Sequence, residues 1–257
     1  MERFADRVAF VTGGGSGIGL AAAQRLAREG ARVALFDVDA ESVEKAAGEV
    51  DGGPLALAGD VSRSEDVARA VREVEERWGR LDVVFANAGV NGVWAPIDDL
   101  AEDEWDETVA INLRGTFLTV KHTVPLLKRR GGSIVITSSV QGTRLFSMKG
   151  STAYACTKAA QVAFAKKTAY ELAEHGIRVN VICPGYIPTG IDENTEERDT
   201  EDLGVPVETP EGPRPLKDSP GSPEQVAALV AFLASDEAGH VTGTPVWIDG
   251  GETLVLG

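Results

Sequence analysis

The sequence predicts an α/β fold with one parallel sheet of about seven strands and helices on both of its faces. Short apolar runs typical of buried strands alternate with helical patterns along the whole chain, as in βαβ units. The first run, residues 8–12, passes through a glycine-rich turn at residues 13–19 into a helical pattern at residues 20–27. Because 257 residues suit one domain of this class, residues 1–257 are expected to form a single doubly wound, Rossmann-type domain.

The remaining elements follow from periodicity and from cap residues. Further strands are predicted at residues 31–37, 55–61, 81–86, 133–139, 178–183 and 244–249. Further helices are predicted at residues 41–50, from 64 after the cap Ser64-Glu65-Asp66, at about 102–130, at about 153–175, and from Ser222-Pro223-Glu224. Pro125 is expected to kink or divide the long helical region at 102–130.

One long loop, at about residues 187–221, interrupts this alternation. It contains an acidic run at residues 192–202 and five prolines after it. A loop of this length inside a compact domain is usually a lid or disordered, and a solvated excursion without a role is the alternative. We expect a mobile lid over the substrate, because the loop leaves the carboxyl end of a strand, where open α/β sheets bind ligands.

Composition and charge exclude several classes of function. The net charge of −15 argues against binding to nucleic acid or to an anionic membrane, whose phosphates would be repelled. No apolar run approaches the roughly 20 residues needed to span a bilayer. The cysteines, Cys156 and Cys183, are too few for a disulfide framework, so a reducing, cytoplasmic location is expected. The scattered histidines and cysteines predict no metal in the chemistry.

The glycine turn at residues 13–19 predicts a phosphate site. Glycines allow the backbone to approach a pyrophosphate, and the helix that follows offers unpaired N–H groups and a positive dipole end. A tight turn without a ligand is the alternative. Asp37 ends the second predicted strand about eighteen residues later, where a carboxylate accepts hydrogen bonds from an adenosine ribose. That carboxylate would repel a 2′-phosphate, and the turn has no lysine or arginine, so NAD is favoured over NADP.

Tyr154 and Lys158 are spaced i and i+4 in a predicted helix, which places them on the same helix face. A nearby ammonium group favours the phenolate and lowers the pKa of a tyrosine from about 10. A tyrosine in this setting can serve as an acid and base near neutral pH. An interfacial tyrosine beside a surface lysine is the alternative, because this spacing also occurs by chance.

Several motifs together resemble the smaller, single-domain branch of the short-chain dehydrogenase/reductase family, and the resemblance covers essentially the whole chain. They occur in the family's order and approximate spacing: Thr12-Gly13-Gly14-Gly15-Ser16-Gly17-Ile18-Gly19, Asn87-Ala88-Gly89, Ser139, Tyr154 with Lys158, and Pro184-Gly185 followed by Thr189. One difference is Ala86, where the family often has a first asparagine. Another is the segment from Ser139 to Tyr154, which is about two residues longer than usual.

The resemblance implies catalytic roles for four residues. Tyr154 would be the acid and base, and Ser139 would hydrogen-bond the substrate oxygen. Lys158 would lower the tyrosine pKa and hold the nicotinamide ribose. Asn112 would position a water that connects Lys158 to bulk solvent.

The resemblance also implies a dinucleotide site and borders of the substrate pocket. The cofactor residues would be Gly13, Gly15, Ser16, Gly17, Ile18 and Gly19 at the pyrophosphate, Asp37, Val38, Asp60 and Val61 at the adenosine, and Asn87, Ala88, Gly89, Tyr154, Lys158, Pro184, Gly185, Ile187 and Thr189 along the remaining cleft. Gln141 and Arg144 would border the substrate in the longer loop. Trp94 either faces the substrate or packs, and Arg144 either pairs with an anionic substrate or is solvated.

The expected function is interconversion of a secondary alcohol and a ketone by NAD(H)-dependent hydride transfer. One alternative is an NADPH-dependent 3-oxoacyl-type ketoreductase, and another is a non-catalytic, nucleotide-sensing member of the family. The expected partners are a small alcohol or ketone and three further copies of the chain in a homotetramer. Its interfaces would use helical regions near residues 105–120 and 153–172 and the apolar carboxyl-terminal segment 247–256.

Overall fold

The computed structural model describes residues 2–191, 195–204, 215–216 and 220–256. Within these residues, no helix is both long and apolar enough to cross a membrane. The strands are β1 (Val8–Thr12), β2 (Arg32–Asp37), β3 (Leu55–Ala58), β4 (Val83–Ala86), β5 (Val93–Trp94), β6 (Gly132–Thr137), β7 (Ile177–Pro184), β8 (Glu196–Glu197) and β9 (Pro245–Ile248). The helices are α1 (Gly17–Arg28), α2 (Ala40–Gly48), α3 (Ser64–Trp78), α4 (Glu102–Val109), α5 (Gly115–Leu127), α6 (Thr152–Leu172), α7 (Pro223–Ala234) and α8 (Thr253–Leu256).

Seven of the described strands form one sheet, and its order confirms the predicted doubly wound fold. The order is β3-β2-β1-β4-β6-β7-β9, and every pair is parallel. From β1 the chain first adds strands on one side and then, from β4, on the other. The order therefore reverses between β1 and β4, and a crevice opens there at the carboxyl ends of the strands.

Helices cover both faces of the sheet, and alternate residues of each strand enter one of two apolar cores. In β1, Val8 and Phe10 point into the core formed with α3, α5 and α6. Ala9 and Val11 point into the opposite core, formed with α1, α2 and α7. A strand buried on both faces needs an apolar side chain at every position, which explains the uninterrupted apolar runs of the sequence.

The long helical region is interrupted, but not at Pro125. α5 continues through Pro125 to Leu127, and the irregularity is a π-helical turn at Ala110–Arg114 that joins α4 to α5. Such a turn inserts an extra residue and re-aims a side chain, and in proteins it is often found at functional sites. Here the turn carries Asn112, one of the residues assigned to catalysis from the resemblance.

Two helix starts test the cap predictions. Ser222 caps α7 as expected, with Pro223 as the first helical residue and a reciprocal bond between Ser222 and Gln225. The prediction at Ser64 was wrong by one residue, because Arg63 occupies the cap position of α3 without a side-chain cap bond. The Ser64 hydroxyl instead bonds His122 Nε2 at 2.9 Å.

The long loop at about residues 187–221 is described in four parts. Residues 192–194, 205–214 and 217–219 of the predicted lid lie outside the described residues. Residues 195–204, called the strap below, contain β8, which pairs in parallel with β5 in a separate two-stranded sheet. The strap therefore lies beside the segment that follows Asn87-Ala88-Gly89.

Candidate active site

A cleft of about 580 Å³ opens at the carboxyl ends of the central strands. Most residues assigned to the cofactor and to catalysis line this cleft, although they come from distant parts of the chain. They are Gly13, Ser16, Gly17, Ile18, Asp37, Val38, Asp60, Val61, Asn87, Ala88, Gly89, Ser139, Tyr154, Lys158, Pro184, Gly185, Ile187 and Thr189. The remaining three, Gly15, Gly19 and Asn112, lie outside this lining and support it.

The glycine turn is packed too closely for side chains. A Cβ on Gly19 would lie 1.9 Å from the carbonyl oxygen of Gly13, and one on Gly17 would lie 2.9 Å from Thr189 Cβ. Gly13 and Gly17 also have φ values of 63° and 52°, which L side chains rarely adopt. The turn thus brings backbone and the start of α1 directly to the cleft, as a pyrophosphate site requires.

Asp37 is fixed at the end of β2 by the glycine turn. Its Oδ2 accepts a hydrogen bond from the Gly15 amide at 2.9 Å, and its Oδ1 accepts one from the Asp39 amide at 3.2 Å. A Cβ on Gly15 would lie 3.0 Å from Asp37 Oδ2, so this close approach depends on the glycine. The two amides therefore hold the carboxylate in place where the cleft meets the end of β2.

Asn87 joins three strand ends at the centre of the cleft. Its amide nitrogen Nδ2 donates to the Thr12 carbonyl at 3.2 Å, and its Oδ1 accepts from the Thr137 hydroxyl at 3.0 Å. Thr12 Oγ1 in turn accepts from the backbone amides of Asn87 and Ala88 at 3.0 and 3.1 Å. These bonds hold β1, β4 and β6 in one register where the cleft begins.

Tyr154 and Lys158 lie on α6 with their side chains buried against the cleft. Lys158 Nζ lies 5.3 Å from the centre of the Tyr154 ring and donates to the Thr137 carbonyl at 3.1 Å. Burial lowers the pKa of Lys158 to about 8. A buried ammonium next to a phenol favours the phenolate more strongly than a solvated one, because little water screens the pair.

Two serines follow β6, and they have different partners. Ser139 lines the cleft, and its Oγ accepts a hydrogen bond from the Gln141 amide at 3.1 Å. Because Ser139 Oγ is the acceptor in this bond, the bond does not use the Ser139 hydroxyl proton. Ser138 Oγ donates to the Lys158 carbonyl at 2.7 Å and so ties α6 to the end of β6.

Asn112 is fully buried and is held on both of its polar atoms. Oδ1 accepts from the Val90 amide at 2.8 Å, and Nδ2 donates to the Val90 carbonyl at 2.9 Å. Its backbone carbonyl, within the π-helical turn, accepts from Gln161 Nε2 at 2.8 Å and from Thr116 Oγ1 at 2.7 Å. A Cβ on Gly89 would lie 3.0 Å from Asn112 Oδ1 and 3.4 Å from Lys158 Nζ, so the three residues meet at one point.

The three residues proposed for the substrate do not line the cleft of the described structure. Trp94 is buried in β5, and its indole Nε1 donates to the Asn91 carbonyl at 3.2 Å, which corresponds to packing. The Arg144 guanidinium stacks 3.7 Å from the centre of the Trp247 ring, and the residue is exposed to solvent. Gln141 lies beside Ser139, and its buried Oε1 has no hydrogen-bond partner among the described residues.

The cleft also contains residues that the motifs did not identify. These are Phe36, Gly59, Val90, Glu107, Ile111, Thr137, Ser138, Gly190 and Ile191. Thr137 and Ser138 directly precede Ser139, so the end of a predicted strand was a usable signal for them. Glu107 and Ile111 lie on α4 and the π-helical turn, and only the tertiary packing brings them to the cleft.

The charge of the cleft is uneven. Asp37, Asp60 and Glu107 line it, while Lys158 is the one lysine or arginine among the described lining residues. No group of three or more His, Cys, Asp or Glu side chains in the described chain could hold a metal ion. The glycine turn and the Asp37 carboxylate fit a dinucleotide, because Gly13, Ser16, Gly17 and Asp37 line the cleft and the turn presents backbone and the start of α1 to it.

Comparisons with known proteins cover nearly the full chain. A family model described as enoyl-(acyl carrier protein) reductase matches residues 13–253. Levodione reductase of Leifsonia aquatica is 40% identical over 258 residues, which cover 98% of this chain and 96% of that protein.

Solved structures agree in fold over the same extent. A 3-ketoacyl-ACP reductase from Sinorhizobium meliloti 1021 is 53% identical, with a TM-score of 0.93 over 96% of this chain and 99% of that chain. A 3-ketoacyl-(acyl-carrier-protein) reductase from Brucella melitensis, complexed with NADH, is 29% identical, with a TM-score of 0.87 over 97% and 99% of the two chains. The chain therefore belongs to the short-chain dehydrogenase/reductase family and is an NAD(P)-dependent oxidoreductase that acts on an alcohol or ketone group.

Proposed function

We propose that the protein is an NAD(H)-dependent dehydrogenase that interconverts a small secondary alcohol and a ketone, with Tyr154 as the acid and base. The observation that carries this proposal is the buried Tyr154–Lys158 pair at the wall of the dinucleotide-sized cleft. A buried lysine that donates to a backbone carbonyl and lies beside a phenol ring is costly for a protein that merely binds a nucleotide.

The chemistry divides between the cofactor and the chain. A bound nicotinamide would supply the hydride chemistry at the carbinol carbon of the substrate. In the direction of ketone reduction, the Tyr154 hydroxyl gives its proton to the carbonyl oxygen as the carbon is reduced, which leaves a phenolate. Lys158 stabilises that phenolate, and Ser139 Oγ hydrogen-bonds the same substrate oxygen. Asn112 would hold a water through which the tyrosine regains its proton from solvent.

The charge of the cleft supports NAD as the cofactor. A 2′-phosphate would meet the fixed Asp37 carboxylate, with no arginine or lysine among the described lining residues at the adenosine end. The complex of the Brucella melitensis relative with NADH is consistent with this choice. A strong preference for NADPH in steady-state kinetics would contradict it.

A second candidate is a 3-oxoacyl-type ketoreductase, favoured by the 53% identity to a 3-ketoacyl-ACP reductase. The charges around the cleft favour a smaller substrate. The strap carries five carboxylate side chains and one arginine, and an acidic carrier protein would be repelled there. Levodione reductase, by its name, reduces a small dione, which supports a small neutral ketone. Reduction of an acyl thioester that is faster than reduction of any small ketone would favour the second candidate.

The test is a panel of secondary alcohols, assayed with NAD and with NADP in parallel, for the wild type and two tyrosine variants. Tyr154→Phe should lose at least about 100-fold in kcat, as expected when a general acid and base is removed. It should still bind NADH, as followed by the fluorescence of the reduced ring. Tyr170→Phe removes the same hydroxyl from an exposed position of the same helix and should retain activity. A wild type that binds NADH but oxidises nothing would instead support the nucleotide-sensing alternative.

We also propose a cytoplasmic homotetramer. Exposed apolar side chains support association: Phe117 on α5 is 44% exposed, and Leu254 on α8 is 80% exposed. Both cysteines are free thiols, which is consistent with a reducing compartment. A monomeric mass by light scattering at micromolar concentration would refute the assembly.

A further inference from the structure

The strap connects two borders of the cleft. Thr189, Gly190 and Ile191 line the cleft, and the strap begins four residues after Ile191. Thr195 then accepts a hydrogen bond from Asn91 Nδ2 at 2.7 Å, and the Arg198 amide donates to the Trp94 carbonyl at 2.9 Å. Both partners follow Val90, which also lines the cleft. The strap is therefore attached to the segment that leaves the cleft at Val90.

One side chain of the strap, that of Arg198, makes four hydrogen bonds to Asp99 and Glu104. Its Nη1 and Nη2 donate to the two carboxylate oxygens of Glu104, each at 2.9 Å, in a bidentate pair. Its Nε donates to Asp99 Oδ2 at 2.9 Å, and Nη2 also donates to the Asp99 carbonyl at 2.9 Å. Bidentate pairing of this kind adds directional specificity to charge attraction.

The Arg198–Glu104 pair is shielded more than a typical surface ion pair. Their side chains are 32% and 21% exposed. The Arg198 guanidinium, and secondarily the Ala101 amide, lower the pKa of Glu104 to about 2. Glu104 is therefore charged throughout the range in which the protein is expected to work. The attachment does not depend on pH near neutrality.

Without Arg198, charge repulsion would separate the strap from residues 98–104. Residues 98–104 carry five carboxylate side chains, and the strap, residues 195–204, carries five more. Arg198 is the one lysine or arginine within residues 192–202. The strap thus has a single cation with which it can approach the acidic start of α4. Because Arg198 directly follows β8, its pairing with Glu104 and Asp99 favours one register of β8 against β5.

Glu104 lies one helical turn before Glu107, which lines the cleft. The cluster of Arg198, Asp99 and Glu104 therefore ties the loop after β7 to the helix on the opposite side of the cleft. We propose that Arg198 is a positioning residue that holds the strap as a wall of the substrate compartment. It thereby sets the KM for the alcohol or ketone without contacting the dinucleotide. This inference rests on the proposed function for its kinetic readout.

The experiment compares Arg198→Met and Arg198→Lys with a matched control, Arg129→Met. Arg129 also pairs with a glutamate, Glu75, at 2.6 Å, but neither residue lines the cleft. With the best alcohol of the panel and saturating NAD, Arg198→Met should raise KM about tenfold or more. The affinity for NADH should change less than about twofold. Arg198→Lys keeps the charge but not the bidentate geometry and should show an intermediate KM.

Salt separates the proposed role from a general loss of structure. If repulsion between two acidic segments displaces the strap, about 1 M NaCl should lower the raised KM of Arg198→Met about threefold, because the Debye length falls to about 3 Å. The wild type and Arg129→Met should not improve with salt. An unchanged KM in Arg198→Met, or no response of its KM to salt, would overturn the proposal.

Hydrogen exchange provides a readout that does not require turnover. Backbone amides of the strap, including that of Arg198, should exchange at least about tenfold faster in Arg198→Met than in Arg129→Met. Exchange in the β1 and β4 strands should stay the same. Equal exchange of the strap in the two variants would refute the positioning role. A wild type without activity would refute the proposed function but would leave this measurement meaningful.

Discussion

Replacing Gly19 with alanine tests whether the close approach of α1 to the glycine turn is needed. The added Cβ would lie 1.9 Å from the Gly13 carbonyl oxygen and 2.9 Å from Asn87 Nδ2. Reaching an ordinary contact of 3.4 Å requires a displacement of about 1.5 Å, which equals the rise of one helical residue. Neither neighbour is a flexible side-chain end, since the first is backbone and the second is held by Thr12 and Thr137.

The expected cost follows from two opposing terms. Overpacking a close-packed site costs about 1–3 kcal/mol, and here the obstructing atom is backbone, so the upper end applies. The better helix propensity of alanine returns about 1 kcal/mol. The net loss of about 2 kcal/mol should lower the melting temperature by about 4–8 °C in a chain of this length. Displacement of α1 should also weaken NADH binding at least about tenfold, because the amides at its start face the cleft.

Gly48→Ala is the matched control. Gly48 is the last residue of α2, and nothing lies within 4 Å of a Cβ placed there. The same substitution should therefore stabilise the protein by about 0.5–1 kcal/mol and leave NADH binding unchanged. Differential scanning fluorimetry and NADH fluorescence titration measure both quantities. A Gly19→Ala protein that melts at or above the wild-type temperature and binds NADH as tightly would refute the steric reasoning.

Three further predictions concern charged side chains. Asp37→Ser should reduce the preference for NAD over NADP, measured as the ratio of the two kcat/KM values, at least about tenfold, because the carboxylate that opposes a 2′-phosphate is removed; an unchanged ratio would show that other groups select the cofactor. Burial lowers the pKa of Lys158 to about 8, so between about pH 8 and 10 the unfolded chain holds a proton that the folded protein has released, and stability rises with pH. Lys158→Met should accordingly raise the melting temperature, without dinucleotide, more at about pH 7 than at about pH 9.5, and equal shifts would contradict the assignment. Arg178→Met should cost about 2–3 kcal/mol in urea denaturation, because the guanidinium donates to the carbonyls of Leu233 and Ser235 at the end of α7 at 2.7 and 2.9 Å; a loss below about 0.5 kcal/mol would argue against this cap.

The fold and most of the residues that line the cleft could be predicted from local sequence. The apolar runs that alternate with helical patterns led to the parallel sheet, because strands buried on both faces need apolar residues throughout. The glycine turn and Asp37 were found because their chemistry depends on residue type and short spacing. Tyr154 and Lys158 were found for the same reason, since the i, i+4 geometry belongs to one helix.

Other features could not be predicted from the sequence, because two alternatives fitted the local residue pattern equally well. Pro125 disrupts a helix on general grounds, yet α5 continues through it, and the disruption lies at Ala110–Arg114. Trp94 was equally compatible with packing and with substrate contact, and its burial in β5 decides for packing. Arg144 is exposed and stacks on Trp247, a contact that local sequence could not predict because the two residues are far apart along the chain.

The sequence by itself determined the fold class, the glycine turn, the carboxylate at the end of β2 and the tyrosine–lysine pair, because each depends on periodicity or on a short spacing of residue types. Only the tertiary structure decided which side chains meet between elements. Asn87 joins Thr12 and Thr137 across three strands, and Arg198 meets Glu104 across 94 positions of sequence. Such contacts depend on how the elements pack in space, and no local pattern of residue types specifies that packing.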